Sequence, residues 1–134
     1  MFTLICGIPN AGKTTYSQNF ENVIHMDELR PKKGHPTRSY VVDALKKAEG
    51  DICVEGVYVM ASSRKRLADA YKGKKLCIFL DTPLDEAKRR ENRGRPLFII
   101  ENSHHHLEPP TFDEGWDEII IKRPDGEEHL VKGE

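Results

Sequence analysis

The chain has 134 residues, of which 37% are hydrophobic and 32% charged, with a formal net charge of −1 and three cysteines. That is enough chain to close one hydrophobic core, and no apolar run approaches the roughly 20 residues that cross a bilayer. A membrane span and a disulfide scaffold are both excluded as organising features.

The cysteines, Cys6, Cys53 and Cys77, fall inside apolar runs, and none has a Cys or His partner at metal-ligand spacing. An odd number of core thiols, without the charged start of a signal peptide, points to reduced cysteines in a cytoplasmic protein. The small net charge conceals an asymmetry: residues 1–100 carry 18 Lys/Arg against 12 Asp/Glu, whereas residues 101–134 carry 3 against 10. The basic residues gather at 30–38, 64–75 and 88–95. A charge run is often only a solvated face, and 64–75 is read with that alternative open.

Five apolar runs read as strands: Phe2–Cys6, Asn22–Met26, Ile52–Val57, Leu76–Leu80 and Glu118–Ile121. They are nearly continuous, as in strands buried on both faces of a parallel sheet, and helical stretches lie between most of them. The first runs directly into Gly7-Ile8-Pro9-Asn10-Ala11-Gly12-Lys13-Thr14, the pattern G-x-x-x-x-G-K-[ST]. In that strand-to-helix context the glycines let backbone N–H groups curl around a polyphosphate, with the following helix N-terminus beneath it. The cradle is expected to run from Gly7 through Pro9, Asn10, Ala11, Gly12, Lys13 and Thr14 to Thr15. Lys13 is expected on the β- and γ-phosphates, and the Thr14 hydroxyl on Mg²⁺.

A helix from this loop to about Phe20 follows, then one over 37–49 ended by Gly50. A third is capped by Ser62 or Ser63. In the fourth, Thr82 is the expected cap, Pro83 the first residue and Gly94 the stop, with Asp85 and Glu86 early and Lys88, Arg89 and Arg90 late. Pro96 to Leu107 reads as a fifth helix, with Leu97, Phe98, Ile100 and Leu107 inward. The end reads as a strand, a Pro-Asp-Gly turn and a returning strand.

In a doubly wound sheet of this kind, ligands bind at the carboxyl ends of the strands. Asp27 ends the second strand, where it could orient an attacking hydroxyl or take its proton, and Arg30 could grip a phosphate on the acceptor. Glu55 ends the third strand, either as a water-mediated Mg²⁺ ligand or facing the acceptor. Arg89 and Arg93 are spaced i, i+4, with Arg95 beyond Gly94; as a closing flap these would neutralise the transferring phosphate. Adjacent residues on a helix point about 100° apart, so His104, His105 and His106 cannot converge on one ion.

Gly7–Thr15, Met26-Asp27-Glu28-Leu29-Arg30, Arg64–Leu67, Arg89-Arg90-Glu91-Asn92-Arg93-Gly94 and Glu108–Glu118 together resemble the kinase domain of bacteriophage-type 5′-polynucleotide kinases. The wider clan of small P-loop kinases includes zeta-toxin-like and gluconate- or adenylylsulfate-kinase-like enzymes. The resemblance implies an α/β three-layer sandwich over residues 1–134, a mostly parallel five-stranded sheet, an Arg-rich lid and a C-terminal β-hairpin. It implies ATP with Mg²⁺, Asp27 as general base toward a 5′-hydroxyl, Arg30 on the acceptor's 3′-phosphate, and Arg89 and Arg93 as lid arginines. Arg38, with Arg30, Lys32 and Lys33, would line a nucleic-acid backbone path. One segment departs: Glu55-Gly56-Val57-Tyr58 stands where polynucleotide kinases usually show an Asp-Thr-Asn-like stretch. The alternatives are a kinase of a small metabolite, nucleoside or nucleotide, and a nucleotide-dependent switch. The missing Asn-Lys-x-Asp-like base reader weighs against a GTP switch.

Overall fold

The computed structural model describes residues 1–26 and 37–133, apart from the side chains of Thr37 and Arg38. The strands are β1 (Phe2–Cys6), β2 (Val23–His25), β3 (Ile52–Gly56), β4 (Lys75–Leu80), β5 (Glu118–Arg123) and β6 (Gly126–Val131). The helices are α1 (Lys13–Ser17), α2 (Thr37–Lys47), α3 (Ala61–Ala70), α4 (Leu84–Arg89) and α5 (Leu97–His105), with a 3₁₀ turn at Phe112–Glu114.

These strands form one sheet in the order β2-β3-β1-β4-β5-β6. All neighbours are parallel except β5 and β6, which pair antiparallel across a Pro124-Asp125 turn. The sheet therefore has six strands, not five, because the returning C-terminal strand pairs along the whole length of β5. β1 lies at the centre, with Cys6 beside Gly56 on one flank and Phe79 on the other. The loop after β1 thus opens at the middle of the sheet's carboxyl edge.

Side-chain alternation along β1 and β4 fills two cores. On one face Phe2, Leu4, Cys77 and Phe79 pack with Val41 and Leu45 of α2, Leu67 and Ala68 of α3, and Trp116. On the other, Ile5, Leu76, Ile78 and Leu80 pack with Ala87 of α4 and Ile100 of α5. Each fully buried large apolar side chain contributes about 1.5–3 kcal/mol. These two layers stabilise the short helices, which are too short to persist alone. No helix among the described residues is long and apolar enough to cross a membrane.

Four local expectations change. The first helix ends at Ser17 and gives way to tighter turns, because Ser17 Oγ donates to the Thr14 carbonyl and Asn19 Nδ2 to the Tyr16 carbonyl. Such side-chain bonds compete with helix propagation. α3 begins at Ala61, before the expected serine cap, and its first N–H donates to Glu108 Oε1 at 3.2 Å. Thr82 does not cap α4; its hydroxyl donates to the Ala11 carbonyl at 3.0 Å, and Pro83 precedes the helix. On α5 only Ile100 is fully buried, whereas Leu97 and Phe98 lie exposed, Phe98 at 67%. α5 rests on the sheet by one narrow edge.

Candidate functional site

A cavity of about 800 Å³ opens at the carboxyl ends of the strands. It is lined by Pro9 to Tyr16 and Asn19 from the loop and α1, by Glu55, Leu80 and Thr82 at or just after the strand ends, by Arg90, Asn92, Arg93 and Arg95 from the segment after α4, and by Lys122, Arg123 and Pro124 from the end of β5. The phosphate-loop residues expected from Pro9 to Thr15 are all present in it.

Gly7 lies beneath the loop, and space requires its identity. A Cβ there would sit 2.8 Å from the Leu80 carbonyl oxygen and 3.1 Å from the Ala11 side chain. Gly12, the residue before α1, takes φ +96°, a conformation that L side chains rarely adopt. Lys13 is buried, and its ammonium spans the loop, donating to the carbonyls of Ile8 at 2.8 Å and Gly7 at 3.1 Å. Thr14 and Thr15 are exposed in the cavity lining.

Glu55 is 1% exposed. The parallel register of β2 and β3 sets His25 beside it, and His25 Nδ1 lies 2.8 Å from Glu55 Oε2. Glu55 Oε1 is buried and has no hydrogen-bond partner among the described residues. A buried carboxylate oxygen without a donor is costly unless a ligand completes it. Beneath it, burial, reinforced by the Glu55 charge, pushes the Cys53 thiol up to about 12.

The arginine segment differs from the expected helical face. α4 ends at Arg89, so Arg89 and Arg93 do not share a helix surface. Arg89 is exposed and forks onto Glu86 of the preceding turn, with Nε 2.8 Å from Oε2, and it does not line the cavity. Arg90 takes the inward position, donating through Nη1 to the Asn10 carbonyl at 3.2 Å and through Nε to Glu86 Oε1 at 3.0 Å. The Arg89 contact, seconded by Arg90, holds the Glu86 carboxyl down at about 2. Arg93 and Arg95 line the cavity from the turn beyond the helix.

Asp27, Arg30 and the Arg38 side chain lie outside the described residues. His104, His105 and His106 are exposed at the end of α5, away from the cavity lining. Sequence reasoning missed Arg90, Asn92, Thr82 and the Lys122–Pro124 segment; the Lys-Arg-Pro-Asp-Gly run was legible only as a turn.

In the basic cluster 64–75, Arg64 is not solvated but fully buried. It forks onto Glu114 with contacts of 2.7 and 3.0 Å, and donates to the carbonyls of Tyr58 and Glu108. Trp116 Nε1 donates to the same carboxylate. The residue pins the segment before β5 to the rest of the fold, away from the chemistry.

No protein-family model and no curated protein matches the sequence. Among solved structures, the chain is similar to a gluconokinase from Sinorhizobium meliloti 1021, at 15% identity with a TM-score of 0.69, over 90% of this chain and 81% of that one. It is also similar to an unliganded sugar kinase from Janibacter sp. HTCC2649, at 16% identity with a TM-score of 0.70, over 93% of this chain and 86% of that one. At such identities the likeness speaks for architecture. The chain shares the α/β fold of these two kinases, with a mostly parallel six-stranded sheet ending in an antiparallel hairpin.

Proposed function

We propose that residues 1–134 form one ATP- and Mg²⁺-dependent kinase unit that transfers the γ-phosphate to a hydroxyl of a small acceptor, sugar acids and polyols being the first class to test. The observation that carries the reading is the meeting of Lys13, Glu55 and the arginines 90, 93 and 95 around one cavity. A triphosphate on the loop would face guanidiniums on one side and a buried carboxylate on another. Phosphoryl transfer needs that division, since it relies on positioning and charge neutralisation more than on covalent chemistry.

In this reading Lys13 exchanges the Gly7 and Ile8 carbonyls for phosphate oxygens. The exposed Thr14 hydroxyl and Glu55 Oε1, which has no partner among the described residues, are hard oxygen donors of the kind Mg²⁺ takes, directly or through water. When bound, the ion supplies neutralisation of the donor phosphates. Asp27, two residues beyond His25, takes the proton of the acceptor hydroxyl as its oxygen attacks the γ-phosphorus. The bond from that phosphorus to the β-bridging oxygen breaks, and ADP leaves. Arg93 and Arg95 offset the charge on the transferring oxygens.

The likeness to a gluconokinase and a sugar kinase supports a small acceptor. The Asp27-x-x-Arg30 resemblance is what favours a nucleic-acid 5′-hydroxyl instead. A screen with γ-labelled ATP separates them, offering gluconate, hexoses, polyols, nucleosides and a 5′-hydroxyl oligonucleotide in parallel. Label on a sugar acid or polyol is the expected result, lost in Lys13→Ala and Asp27→Asn. Label on the oligonucleotide alone overturns the small-acceptor reading, and nucleotide binding with partner-dependent hydrolysis but no transfer would establish a switch.

A further inference from the structure

Glu91 stands where the phosphate loop and the arginine segment meet, and nothing in the reaction as described uses it. Its side chain is only 7% exposed although it sits beyond the end of α4. Oε1 accepts from Asn10 Nδ2 at 3.0 Å, and Oε2 accepts from the backbone N–H groups of Arg93 at 2.9 Å and Arg95 at 3.0 Å. The Arg95 guanidinium adds an ion pair at 3.5 Å to Oε1. The Asn10 amide contact first, and then the Arg95 N–H, hold the Glu91 carboxyl below its ordinary range.

Asn10 occupies the apex of the phosphate loop with φ +68°, a left-handed conformation that asparagine tolerates better than most residues. Its Nδ2 also donates to the Ala87 carbonyl at 3.0 Å, and its own carbonyl accepts from Arg90. Loop and arginine turn are therefore joined by contacts in both directions, with one carboxylate at the centre. Without it the stretch 91–96, which contains Gly94 at φ +73° and no helix, has little to fix where Arg93 and Arg95 point.

We propose that Glu91 is a positioning residue that fastens the Arg93–Arg95 turn to the phosphate loop through Asn10, aiming both guanidiniums at the terminal phosphate of the bound triphosphate. The proposal rests on the triphosphate reading of the cavity. It makes Glu91 a determinant of the preference for nucleoside triphosphate over diphosphate. The third phosphate is the group that this arrangement sets against Arg93 and Arg95.

The test is calorimetric titration of the intact chain with Mg²⁺ plus ADP, and with Mg²⁺ plus a non-hydrolysable ATP analogue, for wild type, Glu91→Ala and Glu91→Gln. Wild type should bind both, the triphosphate more tightly. Glu91→Ala should weaken triphosphate binding about tenfold, as expected for lost charge-assisted bonds, while ADP affinity stays within about twofold of wild type. Glu91→Gln keeps an oxygen for the Arg93 and Arg95 N–H groups but opposes Asn10 with an amide, so it should fall between. Melting curves run alongside separate this from a purely structural role, which lowers stability without changing the triphosphate-to-diphosphate ratio. An unchanged ratio in a folded Glu91→Ala protein overturns the proposal. Should Glu91→Ala not fold, the ratio in Glu91→Gln decides it, an unchanged value again overturning it. Wild type binding neither nucleotide overturns the triphosphate reading itself.

Discussion

His25 Nδ1 and Glu55 Oε2 lie 2.8 Å apart across the paired ends of β2 and β3, leaving Glu55 Oε1 buried in the lining of the cavity at the strand ends. The imidazole fixes one carboxylate oxygen and so aims the other. A buried oxygen without a donor among the described residues is a stability cost.

That relationship predicts opposite effects from one substitution. Glu55→Gln should stabilise the unliganded protein by about 1 kcal/mol, since a neutral amide is cheaper to bury than a carboxylate. The same change should reduce phosphate transfer by about 10²-fold if Glu55 orients the ion or acceptor. Urea unfolding and initial rates on the acceptor found in the screen check both halves; a loss of stability together with full activity contradicts the assignment.

Neighbouring arginines should behave differently. Arg89→Ala removes an exposed pair with Glu86 and should leave transfer within about twofold of wild type. Arg93→Ala removes a guanidinium lining the cavity and should lower kcat by about 10²–10³-fold. A similar loss in both variants would restore the lid face expected from i, i+4 spacing. Because Glu86 is held at about 2, its contacts persist from neutral pH to well below the usual carboxylate range. They are lost only as pH falls towards that value.

Arg64 and Glu114 form a buried, fully hydrogen-bonded pair, so removing one partner leaves a charge without compensation. Arg64→Ala should cost about 3–5 kcal/mol, read as a fall in the urea midpoint. Nucleotide affinity of the folded fraction should be unchanged, because the pair lies outside the cavity lining.

Burial raises the Cys77 thiol well above its ordinary value and the Cys53 thiol to about 12. An acid whose folded value is raised contributes stability that is present below the unfolded value, near 8.5. That stability is lost as pH rises from there towards the folded values. Both thiols should resist a thiol reagent at pH 8 in native protein and react at once in denaturant. The urea midpoint should also decline from pH 8.5 to pH 10. Rapid native labelling would show that the core opens around β3 and β4.

The strands were legible because burial on both faces writes itself as short continuous apolar runs, and β1 matched its run from Phe2 to Cys6. The phosphate loop was legible because its geometry demands particular residues: Gly7 for space, Gly12 for a left-handed turn, Lys13 for charge. What local pattern could not fix was which basic side chains face the cavity. Arg89 and Arg90 are adjacent and chemically alike. The end of α4 and the Asn10 carbonyl, some 80 residues away in sequence, select Arg90. Whether Arg64 was a solvated charge stayed open in the sequence because its partner Glu114 is 50 residues distant. α5 read as amphipathic although the sheet covers it along one edge only, exposing Leu97 and Phe98.

The sequence by itself therefore determined the alternation of elements, the phosphate loop and the stock of arginines and strand-end acids around it. Each depends on local backbone preference or on burial periodicity, which neighbouring residues encode. Only the tertiary structure decided that β1 lies between β3 and β4, that His25 aims Glu55, and that Glu91 joins the loop to the arginine turn. Those are contacts between residues far apart in the chain, and their energies depend on distances that spacing along a sequence does not carry.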